Sequence, residues 1–321
     1  MIPALDEHQL LVFWCQLVLL VGTARLLGHL MRRLGLPSVV GELGAGLLLG
    51  PTVLGRVWES GFEWLFPDDE LVGGLLLGVG WVGIALLLII TGFETDLTLI
   101  GRLGRASALV STMSIVVPLA AGLMVGVALP ESFLGAEATR LSFTLFIGLA
   151  LAVSSLAVVA KILSELGFMR RDFGQITVAA GMANDVFGWL ALGAIAALAA
   201  SGEFAPGRLG LTLAGMGLFI VAALTVGQRG IDELLRRTRR GGENVGGGVT
   251  VAVLVALGFA VVTQWIGVEG VLGAFVAGIA LGRSRFQQDK VLSHLETITV
   301  AFLAPVFFAT AGLRVDLGLL V

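Results

Sequence analysis

Apolar runs close to membrane length recur along the chain, separated by short polar stretches. A bilayer-crossing helix needs about 20 predominantly apolar residues. Ten segments fit or nearly fit: 9–31, 37–55, 72–93, 106–129, 141–166, 173–200, 208–228, 248–266, 269–283 and 292–313. The second and ninth are short and rich in glycine, which lets helix backbones approach closely. The pattern predicts an all-α polytopic membrane protein of about ten transmembrane helices.

Composition agrees. Of the 321 residues, 57% are hydrophobic and 13% charged, whereas a soluble domain carries roughly 25% charged residues. Lipid is therefore the expected surrounding of most of the chain. A net charge of −3 gives no case for nucleic acid. Cys15 is the sole cysteine, so neither a disulfide framework nor a CxxC metal site is available. His8, His29 and His294 are scattered and form no zinc pattern. No GxxxxGK[ST] phosphate loop occurs, and no nucleophile–base pair stands out. An enzyme is not expected, and neither is a cofactor. The stretch "GGENVGGG" (241–248) reads as a flexible loop. The flank "ALDEHQ" before the first apolar run is acidic, unlike the basic start of a cleaved signal peptide.

Loop charge predicts orientation, because Lys and Arg concentrate on the cytoplasmic side. One set of alternate loops holds fourteen basic residues, among them Arg32, Arg33, Arg102, Arg105, Arg170 and Arg171. The opposite set holds four: Arg56, Arg140, Arg208 and Arg314. The alternation never breaks, so the N-terminus is expected outside.

The chain also repeats itself. "GLPSVVGELGAGLLLGP" (35–51) matches "GVEGVLGAFVAGIALGR" (267–283) at an offset of 232 residues, and "TGFETDL" (91–97) matches "AGLRVDL" (311–317) at 220. The bland reading is a pair of generic small-residue packing faces. The two copies of the first block start on opposite sides, which makes the repeat inverted. Inverted repeats mark secondary transporters, with the binding site near the midplane. The first repeat covers spans one to six and the second begins at span eight. Counterparts of spans four to six do not follow, so the chain reads as a fragment short of about three helices.

Charged residues inside the spans carry the candidate chemistry. Asp185 lies about 13 residues into span six, about 20 Å along the helix axis. A charge at that depth costs at least about 2.5–3.5 kcal/mol, so an intramembrane acid is a functional candidate by default. The functional reading is a carboxylate that binds a cation or a proton by turns; the alternative is a carboxylate paired for packing. Asn184 orients its neighbour or bonds another helix. Ser154 and Ser155 lie mid-membrane in span five, where hydroxyls satisfy carbonyls freed by a local break or bond back to the preceding turn. No Gly or Pro adjoins them, so the sequence does not itself show a break. Lys161 and Glu165 share a helix face and are expected to snorkel to the cytoplasmic surface, with a proton path as the second reading. Glu42 is expected to match the dipole of its helix's first turn. Glu94, Asp96 and Asp316 read as caps, and Asp172 with Gln175 has capping-box spacing.

The run "SSLAVVAKILSELGFMRRDFGQITVAAGMANDVFGWLAL", with "GLPSVVGELGAGLLLGP", "ITGFETDL", "GVLGAFVAGIALG" and "FLAPVFFATAGLRVDL", resembles the monovalent cation:proton antiporter-2 family of the sodium/hydrogen exchanger superfamily. The resemblance spans nearly the whole chain. It implies a thirteen-helix inverted-repeat fold, a homodimer in a bacterial inner membrane, and Na+ or K+ exchanged for protons. Residues 1–100 and 246–321 would form the dimerisation scaffold, 101–204 half of the ion-translocating core, and 205–245 a linker helix with a basic loop. Span five would be a broken helix and Asp185 the ion-binding acid, aided by Asn184, Ser154 and Ser155. Many relatives carry Asp-Asp where this chain has Asn184-Asp185, which favours one proton per cation. The rival readings are a ligand-gated potassium efflux system, a sodium-coupled symporter, and an inactive or regulatory membrane subunit.

Overall fold

The computed structural model describes residues 5–135, 138–201, 206–240, 245–286 and 289–320. The described residues are helical, without strands, and ten units run through them. These are α1 (Glu7–Arg33), α2 (Ser38–Leu49), α3 (Glu70–Phe93), α4 (Gly104–Ala128), α5 in two pieces (Arg140–Ala152 and Leu156–Glu165) and α6 (Asp172–Ser201). Then come α7 (Pro206–Ala222, extended by a π-helical turn into Gln228–Arg240), α8 (Val245–Ile266), α9 (Gly270–Gly282) and α10 (Asp289–Ile298, then a π-helical turn and Ala304–Leu313). Among the described residues, nine units are long and apolar enough to cross a membrane, and α9 is a shorter apolar helix. The protein is an integral membrane protein, and the ten expected segments are all helical among the described residues, nine of them of crossing length.

Helix starts follow local chemistry. Asp6 and Gln9 form a capping box on α1, and Asp69 caps α3 by accepting from the Leu71 and Val72 N–H groups. The Gln9 amide also donates to Asp69 at 2.8 Å, tying the two starts together. Asp96 caps the short helix Leu97–Arg102, and Asp316 accepts from the Gly318 N–H. The box expected from Asp172 and Gln175 does not form. The helix already includes Asp172, and the buried Gln175 side chain reaches away from it, donating to the Met169 and Glu94 carbonyls and accepting from the Asp96 N–H. That amide fastens the α3–α4 connection to the start of α6. The glycine-rich loop is also only partly realised: residues 241–244 lie outside the described residues, but Gly246–Gly248 already belong to α8. The expected boundary at 204/205 lies outside the described residues as well.

Packing divides the spans. The helices α1, α2, α3, α9 and α10 pack on one another, with α8 against α9, while α4, α5 and α6 form a second group. The repeat is built into the first group reciprocally. A Cβ on Gly46 of α2 would strike the Ala309 carbonyl and the Gly312 backbone of α10; one on Gly278 of α9 would strike the Ile89 carbonyl and the Gly92 backbone of α3. These contacts map onto each other under the two offsets found in the sequence. Generic small-residue faces have no reason to exchange partners in this way. Gly35 and Gly267, also 232 residues apart, both adopt positive φ (77° and 91°) in the turns before α2 and α9, a conformation that favours glycine. The fold is an inverted-repeat helical bundle in which α1–α3 are matched by α8–α10.

Candidate functional site

The stretch "GMANDVFG" places Gly181, Asn184, Asp185 and Gly188 on one face of α6, at i, i+3, i+4 and i+7. The two glycines admit α5 closely: a Cβ on Gly181 would meet the Leu156 side chain at 3.0 Å, and one on Gly188 the Val153 side chain at 2.9 Å. Between those contacts α5 is interrupted. Val153 and Ser155 are extended, with ψ of 128° and 115°. Asn184 is buried and spans the interruption with both ends of its amide. Its Nδ2 donates to the Ala152 carbonyl at 2.8 Å, and its Oδ1 accepts from the Ser154 N–H at 2.8 Å. Backbone groups freed at mid-membrane must find partners within the protein, and Asn184 supplies two. The interruption has no glycine or proline of its own because its partner lies 30 residues away, in the next helix.

Ser155 is the N-cap of the second piece of α5, its hydroxyl facing the Val158 N–H at 3.4 Å. Asp185 lies beside this new helix start, lining the same cavity as Ser155. The positive end of the half-helix dipole thus faces an acid. Asp185, Ser154 and Ser155 line one cavity of about 470 Å³, together with Trp189, Glu269 and apolar side chains such as Leu88 and Phe307. The arrangement offers a carboxylate, two hydroxyls and a helix terminus to a small ion in an apolar recess.

Lys161 and Glu42 depart from expectation. Lys161 does not snorkel: it is 1% exposed, its Nζ lying 3.5 Å from Glu42 and 3.5 Å from Glu165. Glu42 is likewise 1% exposed, so its role is not confined to the helix dipole. Ser38 completes the cluster: its hydroxyl bonds both Glu42 and Glu165, and its N–H donates to Glu165 at 2.8 Å. The physical reason is the direction of the face. Lys161 turns toward α2 rather than toward lipid, and a lysine that cannot reach water needs paired acids. The cluster joins α2 to α5 and does not line the Asp185 cavity. Ser38, Trp189 and Glu269 were not anticipated: Ser38 and Glu269 stand at helix starts, where polar residues are ordinary, and Trp189 lies among the apolar residues of α6. Arg170, at 3.8 Å from Glu94, closes a second contact between the two groups.

A sequence model described as sodium/hydrogen exchanger, transmembrane, matches residues 17–321. The chain is 28% identical over 318 residues to the Na(+)/H(+) antiporter NhaS4 of Synechocystis sp., covering 98% of this chain and 76% of that protein. It is 28% identical over 312 residues to cation/H(+) antiporter 17 of Arabidopsis thaliana, covering 97% of this chain but only 37% of the plant protein's length. It is 27% identical to the Na(+)/H(+)-K(+) antiporter GerN of Bacillus cereus, covering 94% of this chain and 72% of that protein. Among solved structures, the sodium proton antiporter MjNhaP1 from Methanocaldococcus jannaschii superposes with a TM-score of 0.60 at 18% identity, over 97% of this chain and 72% of that one.

Proposed function

This chain belongs to the sodium/hydrogen exchanger transmembrane family, a family of transporters, and on that footing we propose that it exchanges a monovalent cation, Na+ or K+, for a proton at Asp185. The observation that carries the reading is the meeting of Asp185 with the interrupted α5 at one cavity. Deprotonated, the carboxylate binds the cation with the Ser154 and Ser155 hydroxyls and water. Protonated, it releases the cation. Asn184 in place of a second acid beside Asp185 favours one proton exchanged per cation. Asn184 keeps the interruption open without adding a second charge.

Alternating access follows from the division of the spans. The groups α1–α3 and α8–α10 act as scaffold and dimer interface, with α4–α6 as part of a core that moves against them in an elevator-like step. The clusters Ser38–Glu42–Lys161–Glu165 and Glu94–Arg170 cross that boundary, so they must rearrange when the core moves. Fourteen basic residues on one set of loops against four on the other support an N-terminus outside.

The test is proton flux in liposomes containing the full-length protein, with Na+ and K+ supplied separately. Wild type moves protons in response to at least one of them without any organic solute, and Asp185→Asn does not. Normal exchange by Asp185→Asn would overturn the site.

A further inference from the structure

The Asp185 cavity contains a second carboxylate that the exchange step does not use. Glu269 is the N-cap residue of α9, yet its side chain accepts no hydrogen bond from that helix's N–H groups. It faces the cavity instead, where its Oε2 accepts from the Trp189 indole N–H at 2.6 Å. Trp189 is one turn beyond Asp185 on α6. The indole therefore holds Glu269, on one packing group, beside the transport acid on the other. Asp185 and Glu269 are the charged side chains among the described cavity lining, and no basic side chain joins them there. The remaining walls, from α3, α5 and α10, are apolar apart from Ser154 and Ser155. A recess lined with one sign of charge and low-dielectric walls concentrates counter-ions. A carboxylate serving only the dipole of α9 would have no need of an indole tether across the boundary.

Resting on the antiport reading, we propose that Glu269 recruits the monovalent cation into this cavity and passes it to Asp185, with Trp189 as its positioning residue. Glu269 sets apparent cation affinity, while Asp185 remains the group that exchanges cation for proton.

The experiment is cation-dependent proton flux in liposomes for wild type, Glu269→Gln, Glu269→Asp and Trp189→Phe, at low and high concentrations of choline chloride as inert salt. Glu269→Gln should raise the cation KM about threefold to tenfold at low salt, the modest end of electrostatic focusing, with kcat within about twofold of wild type. The difference should shrink as salt screens the charge. Glu269→Asp should restore most of the affinity, and Trp189→Phe should raise KM less than Glu269→Gln. If wild type shows cation-dependent flux and Glu269→Gln keeps its KM, recruitment by Glu269 is wrong while the antiport reading stands. A fall in kcat alone, insensitive to salt and not repaired by Asp, also overturns it as a purely structural effect. Wild type without cation-dependent flux overturns the antiport reading and this inference together.

Discussion

Replacing Lys161 with methionine keeps most of the side-chain volume and removes the one cation of the buried cluster. Its Nζ lies 3.5 Å from each of two carboxylates. At an effective dielectric of about 20, each attraction is about 5 kcal/mol before desolvation is subtracted. Burying the three groups consumes most of that, so the pair is weak evidence for net stability. Losing only the lysine is different, because the desolvated acids remain. Glu165 keeps the Ser38 N–H, while the single Ser38 hydroxyl proton is shared between Glu165 and Glu42. Glu42 keeps only that share, and its Oε2 has no partner. The loss therefore falls mainly on Glu42, and Lys161→Met should destabilise by about 3–5 kcal/mol. Adding Glu42→Gln removes the stranded charge and should recover about 1–3 kcal/mol as a coupling energy. Unfolding in mixed micelles, followed by tryptophan fluorescence, measures all four corners of the cycle. A single-mutant loss under about 1 kcal/mol, or strict additivity, would refute the view that a buried ion cluster joins α2 to α5.

Further expectations follow from the same contacts. Asn184→Ala orphans the Ala152 carbonyl and the Ser154 N–H; at about 1–3 kcal/mol for each buried unpaired group, both thermal stability and cation-driven proton flux should fall. Gly46→Ala drives a Cβ into the α10 backbone, whereas Gly44→Ala meets nothing within 4 Å; the first should lose about 1–3 kcal/mol or more by overpacking and show it as poor folded yield, while the second behaves as wild type. Glu94, just beyond α3, has its carboxyl raised above the ordinary 4.5 by burial, with Arg170 opposing. The unfolded chain ionises first, so the penalty is absent below pH 4.5, grows between 4.5 and the raised value, and is complete above it. Glu94→Gln should match wild type in acid and be the more thermostable at neutral pH; equal melting at both would contradict this.

Much of the fold is readable in the sequence because the bilayer imposes it. Helix length is set by lipid thickness, so nine spans stand out by length, and the short α9 stands out by its apolar, glycine-rich run. The repeat is legible because Gly46, Gly278, Gly92 and Gly312 sit where backbones touch, and no larger residue fits there. Asp185 and Asn184 stand out because polar atoms at that depth need a reason. The interruption of α5 is not legible, since the amide that bridges it comes from α6 and no glycine or proline announces it. Lys161 misleads for a related reason: a lysine near a helix end has the same local sequence whether it reaches water or turns inward, and only packing against α2 decides. Glu269 looks like a helix-start acid until its hydrogen bond to Trp189 is seen.

The central claim is that one carboxylate, Asp185, gives up a proton to take a cation. Proton release from purified protein in weakly buffered detergent solution, titrated with NaCl and with KCl against choline chloride, measures that competition directly. The account predicts saturable release of about one proton per protein for the transported cation, with none from Asp185→Asn at the same pH. Undiminished release from Asp185→Asn, or cation binding by wild type with no proton displaced at any pH, would contradict it.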